Sequence, residues 1–227
     1  MPAAPFPILF ITATRIGDAV LSSGLLRRLS EEVPGARFTI VAGPAAAPLF
    51  EDVPGLETLI PFEKSRDGGH WIRLWNQVRR RSWGLVVDLR GSAISGFLHR
   101  RKRAVYRRSP GPPVHKVIEA ARVLGLQDDP PAPHIPVNPA AARQAAALVA
   151  GEGPILALGP AANWVGKTWP VERFAQVAIQ LLGPGGPLEG GRLMVAGGPQ
   201  DAGVLPTLRA VAPRDRFIDL VGRADLV

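Results

Sequence analysis

The stretch ILFITATRIGDAVL, residues 8–21, decides the fold class of this chain. Its first five residues, Ile8–Thr12, form an apolar run rich in β-branched and aromatic side chains, typical of a buried parallel strand. The Gly17-Asp18 pair then opens a helix whose apolar residues recur at helical spacing until Pro34-Gly35. A strand that leads through a turn into a helix begins a βαβ unit. The stretch therefore predicts an α/β protein with a parallel sheet.

Strand and helix signals go on alternating, and a proline-rich segment at 127–139 divides them into two sets. Five prolines in that segment exclude a helix or a central strand, so we expect an interdomain linker. Before it, strands are expected at 38–41, 58–60 and 85–87, with helices at 71–78 and 114–124. After it, strands are expected at 155–158, 193–195 and 217–218, with helices at 140–150, 171–182 and 204–211. The prediction is two Rossmann-like domains, residues 1–126 and 140–227, with the second short of strands and incomplete.

The positive charge is concentrated in one part of the chain. The net charge is +8, and residues 61–125 alone carry 15 basic and 4 acidic side chains. Such a segment attracts an anionic partner, which could be nucleic acid, an anionic membrane surface or a phosphorylated substrate. The basic run 100–103 with Arg107-Arg108 has only Tyr106 interleaved, whereas nucleic-acid binding favours more aromatics. A solvated basic surface is the other interpretation of this run.

Composition excludes several classes of protein. The chain has no cysteine, so disulfides, thiol nucleophiles and cysteine-ligated zinc are excluded. It has no apolar stretch of about 18 residues, which a membrane-spanning helix needs. The four histidines lack metal-ligand spacing, no Asp-x-Asp pair is present, and no G-x-G-x-x-G marks a dinucleotide cofactor. We expect no metal and no cofactor, and a cytoplasmic location.

Asp18 is the first candidate for chemistry, because it follows the first strand at the edge where α/β folds bind ligands. Two interpretations remain open at this point. An aspartate at the beginning of a helix is a favourable N-cap and can be no more than that. A carboxylate held at a strand-to-helix turn can also act as a general base.

Two later segments point to a phosphate or a nucleotide. In residues 159–170, Lys167 precedes a helix that Pro170 is suited to begin, and an ammonium beside free helix N–H groups binds phosphate. The alternative is a lysine on a solvated loop. In residues 196–201, Gly198 permits close approach of a ligand and Asp201 could accept ribose hydroxyls, although it could equally cap the next helix.

With these residues in view, the chain resembles the glycosyltransferase family 9, the ADP-heptose:lipopolysaccharide heptosyltransferases. The matching segments occur in the family's order and spacing: residues 15–21, 86–91, 166–174, 196–199 and 219–222. The resemblance implies a GT-B architecture, in which two Rossmann-like domains face a cleft. It also implies inverting, metal-independent transfer of a heptose from a nucleotide sugar, ADP-heptose, to a lipopolysaccharide inner-core acceptor. With such an acceptor, we expect peripheral contact of the protein with the inner membrane.

The resemblance also implies roles for individual residues. Asp18 matches the proposed catalytic base, and Lys167 matches the lysine on the donor diphosphate. The remaining donor-site candidates are Asn163, Thr168, Gly198 and Asp201, the last standing where the family usually has glutamate. The acceptor-site candidates are Arg15, Gly17, Arg90, Arg100 and Arg103.

Family members continue past the Asp-Leu-x-Gly strand into an Asp-Ser/Thr-Gly-x-x-His segment, and this sequence stops before it. We therefore expect a chain truncated within its donor-binding domain. The alternative function is binding of nucleic acid or another anionic polymer through residues 61–125. It accounts for the basic segment but not for the Gly-Asp, Lys-Thr-Trp-Pro and Gly-Gly-Pro segments at strand ends.

Overall fold

The computed structural model describes residues 3–66, 68–108, 112–162 and 164–224, and the chain divides into two compact units, residues 1–138 and 139–227. Each unit contains a parallel sheet and helices, which confirms the predicted α/β class.

The first unit is built on a five-stranded parallel sheet in the order β3-β2-β1-β4-β5. Its strands are β1 (Phe6–Ile11), β2 (Ala36–Ala42), β3 (Leu56–Pro61), β4 (Trp83–Asp88) and β5 (Arg100–Val105). Its helices are α1 (Ile16–Ser22), α2 (Gly24–Glu32), α3 (Gly69–Val78) and α4 (Lys116–Ala121). Helix α4 continues as a 3-10 turn to Leu124 and ends at Gly125, as predicted.

Strand β1 is central because both of its faces are apolar. Ile8 and Phe10 pack into one buried cluster, whereas Leu9 and Ile11 pack into another on the opposite face. All four side chains are fully buried. Alternate residues of a strand point to opposite faces, so an uninterrupted apolar run fits a sheet that is covered on both sides.

The single helix expected after β1 is wrong: the chain forms two helices that break at Ser23. A side chain at Gly24 would place its Cβ 2.3 Å from the carbonyl oxygen of Ala132, so the proline-rich segment approaches the backbone closely at the break. The N–H of His134 also donates to Ser23 Oγ over 2.8 Å. The break therefore depends on contacts with a distant segment, and the helical periodicity of residues 16–32 gives no sign of them.

The proline-rich segment lies along the first unit. Ile135 packs against the cluster that contains Phe10, and Asn138 Nδ2 donates to Asp52 Oδ2 over 2.8 Å. Residues 127–138 are therefore part of the first compact unit, and the second begins at Pro139.

Strand β5 was not expected, because Arg100–Arg103 suggested only a basic surface. It pairs in parallel with β4 and lies at the edge of the sheet. Charged residues are usual on edge strands, where they discourage pairing with other chains, and this explains why a strand is hidden in a basic run.

The second unit contains a three-stranded parallel sheet in the order β6-β7-β8. Its strands are β6 (Ile155–Leu158), β7 (Arg192–Gly197) and β8 (Phe217–Val221), and its helices are α5 (Pro139–Leu148), α6 (Val171–Leu182) and α7 (Leu205–Arg209). The helix expected at 204–211 is shorter, because residues 199–204 form a 3-10 segment before it. Ala178 of α6 and Leu208 of α7 are fully buried against Leu193 and Val195 of β7.

Candidate active site

A pocket of about 440 Å³ lies at the carboxyl ends of β1, β4 and β5 in the first unit. We call it the Asp18 pocket. Its lining residues are Thr12, Ala13, Arg15, Asp18, Leu21, Ser22, Leu89, Tyr106, Lys116, Glu119 and Ala120. In the sheet, β1 lies between β2 and β4, so the strand order runs outward from β1 in one direction through β2 and β3 and in the other through β4 and β5. The pocket is therefore at the topological switch point, where open α/β sheets bind ligands.

Asp18 stands in the first turn of α1, not at its N-cap. The N-cap is Arg15, so the N-cap interpretation of Asp18 is wrong. The side chain of Asp18 is exposed, and the described residues give it no hydrogen bond and no ion pair. A carboxylate in the first helical turn is favoured by the helix dipole, and here it remains available to a ligand.

Buried hydroxyl groups hold α1 against the end of β1. Thr12 Oγ1 and Ser22 Oγ share a hydrogen bond of 2.8 Å, and Ser22 Oγ donates to the carbonyl oxygen of Ala19 over 3.0 Å. Both hydroxyl groups belong to nearly fully buried residues. The helix that carries Asp18 is thus fixed before any ligand binds.

A glycine before a helix often permits a tight turn, but Gly17 has no such role here. Gly17 lies within α1, its φ is not in the left-handed region, and a Cβ there would meet no atom within 4 Å. The protein's own backbone therefore does not require glycine at this position.

Three residues that the sequence did not mark as catalytic candidates form a hydrogen-bonded cluster in the Asp18 pocket. Tyr106 Oη and Lys116 Nζ both donate to the carboxylate of Glu119. The hydrogen bond from Lys116, followed by that from Tyr106, lowers the pKa of Glu119. The same contact with Glu119 is the main cause that raises the pKa of Lys116, and the negative charge of Asp18 adds to it.

The pocket thus holds two carboxylates in different situations. Glu119 accepts hydrogen bonds from a tyrosine and a lysine, whereas the described residues give Asp18 neither a hydrogen bond nor an ion pair. A carboxylate that accepts no internal hydrogen bond can take a proton from a bound hydroxyl group. The exposed cations Arg15 and Lys116 can attract an anionic ligand to the same pocket.

The other predicted acceptor residues lie outside the Asp18 pocket. The guanidinium of Arg90 stacks on the rings of Phe62 and Trp71, 4.7 and 5.1 Å from their centroids, and its burial lowers its pKa. Arg100 donates to the carbonyl oxygens of Gly96 and Leu98.

Arg103 donates to Ser95 Oγ over 2.9 Å. Arg90, Arg100 and Arg103 therefore gather around the loop that follows β4.

In the second unit, Lys167 ends a 3-10 turn just before α6. It is exposed, and among the described residues it forms no ion pair. The indole of Trp164 lies over Gly166 so closely that a Cβ there would be 2.7 Å from the ring. Thr168 Oγ1 donates to the carbonyl oxygen of Trp164 over 3.4 Å. Asn163, a predicted donor-site residue, lies outside the described residues.

Gly198 and Asp201 form a local turn after β7. Asp201 Oδ2 accepts the N–H of Gly198 over 2.8 Å, which is a capping contact. Its other oxygen accepts no hydrogen bond from the part of the chain that the structure describes. Within that part, no group of three or more His, Asp or Glu side chains could hold a metal ion.

Solved structures share this fold over the whole chain. A glycosyltransferase family 9 protein from Veillonella parvula matches with a TM-score of 0.75 and 20% identity, over 100% of this chain and 72% of that one. The E. coli ADP-heptose LPS heptosyltransferase II matches with a TM-score of 0.72 and 20% identity, over 97% and 74% of the two chains. The E. coli heptosyltransferase WaaC with ADP gives 0.66 and 15%, over 97% and 76%.

No protein-family model matches the sequence, and no curated protein matches it. At identities of 20% or below, the structural likeness shows the fold. The chain has the α/β fold of the solved family 9 glycosyltransferases, as the sequence motifs implied.

Tyr106, Lys116 and Glu119 are the functional candidates that sequence reasoning missed. Tyr106 follows directly after β5, so identifying that strand would have placed it at the carboxyl edge of the sheet. Lys116 and Glu119 are three residues apart on α4, a spacing that places them on one helix face.

Proposed function

We propose that the chain is a glycosyltransferase that moves a heptose, or a related sugar, from a nucleotide sugar to an anionic acceptor. The observation that carries the proposal is the exposed Asp18 carboxylate, without an internal hydrogen bond, in a pocket at the switch point of the first sheet. The fold shared with solved family 9 glycosyltransferases supports it. Two of the similar proteins, the E. coli ADP-heptose LPS heptosyltransferase II and the E. coli heptosyltransferase WaaC with ADP-2-deoxy-2-fluoro heptose, favour ADP-heptose as donor and lipopolysaccharide as acceptor.

In the proposed reaction, the acceptor binds in the Asp18 pocket of the first unit. Arg15 and Lys116 attract its anionic groups, and Asp18 takes the proton of the attacking hydroxyl group. The hydroxyl oxygen forms a bond to the anomeric carbon of the donor as the bond to the diphosphate breaks. A single displacement of this kind inverts the configuration at that carbon.

The second unit is proposed to bind the donor. Negative charge develops on the nucleoside diphosphate as it leaves, and the ammonium of Lys167 together with the N–H groups that begin α6 can stabilise it. The free oxygen of Asp201 is proposed to accept a ribose hydroxyl, and Asn163, Thr168 and Gly198 to contact the donor. The reaction is proposed to need no metal, as the lack of an Asp-x-Asp pair suggests.

The acceptor role of Arg90, Arg100 and Arg103 stays a prediction, since none of them lines the Asp18 pocket. The expected inner-membrane location is likewise proposed. No helix among the described residues is long and apolar enough to cross a membrane.

The substitution Asp18→Asn tests the proposed base. It should lower kcat by roughly 10²–10⁴-fold and leave the affinity for ADP unchanged, because the amide cannot accept the proton. Steady-state kinetics with ADP release as readout, together with calorimetric titration of ADP, make the measurement. Asp128→Asn, which changes an exposed aspartate outside the pocket, is the matched control. An unchanged kcat in Asp18→Asn would contradict the catalytic role of Asp18.

A further inference from the structure

A second groove on the first unit, of about 620 Å³, lies between α3 and the loop that follows β4. We call it the α3 groove. It is lined by Trp71, Ile72, Trp75, Ser92, Ala93, Ile94 and Phe97. It shares no lining residue with the Asp18 pocket.

The α3 groove exposes large apolar side chains to water. Ile72 is 66% exposed and Phe97 is 76% exposed. Exposed apolar residues are common singly, but several around one groove mark a surface that another molecule covers. Trp71 and Trp75 are only half-buried beside them.

Arginine side chains surround this apolar lining. The guanidinium of Arg79 lies 4.7 Å from the ring centroid of Trp75, and that of Arg90 lies 5.1 Å from that of Trp71. Arg100 binds the two carbonyl groups on either side of Phe97, at Gly96 and Leu98.

None of these arginines forms an ion pair within the described part of the chain. Asp88, the acid beneath the loop, is fully buried and accepts hydrogen bonds from Arg90 N, Ser92 N and Ser92 Oγ. Residues 61–108 hold thirteen Lys and Arg against three Asp and Glu. The surface around the groove is therefore cationic with little internal compensation.

The occupant must be apolar at its centre and anionic around it. A nucleic acid satisfies the charge and could stack a base on Phe97, but it offers no apolar environment for the aliphatic side chain of Ile72. An anionic bilayer satisfies both, because acyl chains receive apolar side chains while lipid phosphates pair with arginine. Tryptophan is also the residue favoured at the boundary between lipid and water.

We propose that the α3 groove docks the protein on the surface of an anionic lipid bilayer. Ile72 and Phe97 enter the outer acyl region, and Arg79, Arg90 and Arg100 lie at the level of the phosphates. The proposal deepens the inner-membrane location proposed above by naming the surface that makes the contact. Its test does not depend on sugar transfer, since membrane binding needs neither Asp18 nor a donor.

Flotation of the 227-residue chain with vesicles tests the proposal. Vesicles of phosphatidylcholine with phosphatidylglycerol should bind the chain, and vesicles of phosphatidylcholine alone should bind it far less. Binding should weaken as salt rises from about 0.1 M to about 1 M, because screening shortens the reach of the charges. Ile72→Ser and Phe97→Ser should each weaken partitioning at least about tenfold, through loss of a buried apolar side chain.

Arg79→Gln should weaken binding to the anionic vesicles about fivefold, the effect of one charge near such a surface. Ile179→Ser is the matched control, because Ile179 is a 54% exposed aliphatic residue on α6 of the second unit. It should leave vesicle binding unchanged. All four substituted side chains are exposed, and circular dichroism melts establish that the variants fold.

Three results would overturn the proposal. The first is vesicle binding that Ile72→Ser and Phe97→Ser leave intact. The second is a chain that ignores anionic vesicles but binds RNA tightly. The third is a dimer in sedimentation velocity that Ile72→Ser dissociates while vesicles are not bound, which would assign the groove to a second copy of the chain.

Discussion

The two units carry their candidate sites with different degrees of internal support. In the first unit, buried hydroxyl groups fix the helix that bears Asp18, and a tyrosine and a lysine hold Glu119 at the opposite wall. In the second unit, Lys167 stands on an exposed turn, and residues 166–170 are all exposed.

Under the proposed roles of Asp18 and Lys167, the two halves of the transfer reaction would be divided between a packed pocket and an exposed turn. A general base must be placed accurately, so a packed pocket is suited to it. A lysine on an exposed turn acts chiefly through its charge, and it loses side-chain freedom only when an anion binds. We therefore expect substitutions in the first unit to change turnover, and those in the second to change donor affinity.

Lys167→Ala is the substitution that should affect the second unit most. A hydrogen-bonded charge contact is worth about 1.5–3 kcal/mol, so we expect ADP to bind roughly 10- to 150-fold more weakly. Adenosine, which has no phosphate, should bind with almost unchanged affinity. Calorimetric titration of both ligands makes the comparison, with the exposed Lys64→Ala in the first unit as control.

Equal losses for ADP and adenosine would mean that Lys167 supports the fold of the turn rather than the diphosphate. A loss of the same size in Lys64→Ala would show a non-specific charge effect. Either result would remove the donor role from this turn and with it the contrast between the two units.

Glu119→Gln tests the hydrogen-bonded cluster in the Asp18 pocket, and we expect it to change the free energy of unfolding only modestly. Because the pKa of Glu119 is lowered in the folded chain, its charge stabilises the fold above its ordinary pKa, about 4.3, and this contribution is lost as the pH falls through the lowered value. At pH 7 the variant should be less stable by about 1 kcal/mol, the range of a partly exposed ion pair. The difference should shrink on acidification below about pH 4.

Urea denaturation of both proteins between neutral and acidic pH measures this difference. Glu51→Gln, at an exposed glutamate outside the pocket, is the control and should follow the wild type. A difference between Glu119→Gln and wild type that does not change with pH would contradict the ionised cluster.

Much of the fold could be predicted because the apolar pattern of a buried strand or helix is contained in its own residues. Strand β6 and helix α6 occur at the residues that the sequence indicated, since each has a clear apolar pattern. Strand β5 could not be read in this way, because its charged residues reflect its place at the edge of the sheet. The break at Ser23 depends on residues more than 100 positions away, which no local pattern contains.

The candidate site shows the same limit. Asp18 and Arg15 were found because they follow an obvious strand, and the structure brings both into one pocket. Tyr106 reaches that pocket because β5 pairs with β4, and Lys116 and Glu119 reach it because α4 packs against α1. Their meeting is a consequence of sheet order and helix packing rather than of spacing along the chain.

A single assay of product formation tests sugar transfer by this chain most directly. The chain is incubated with ADP-heptose and a lipopolysaccharide inner-core acceptor, and ADP release and the configuration of the new glycosidic bond are measured. We expect ADP release that requires the acceptor, and a product whose anomeric configuration is inverted relative to the donor. Hydrolysis of the donor at the same rate without acceptor, or a product of retained configuration, would contradict this expectation.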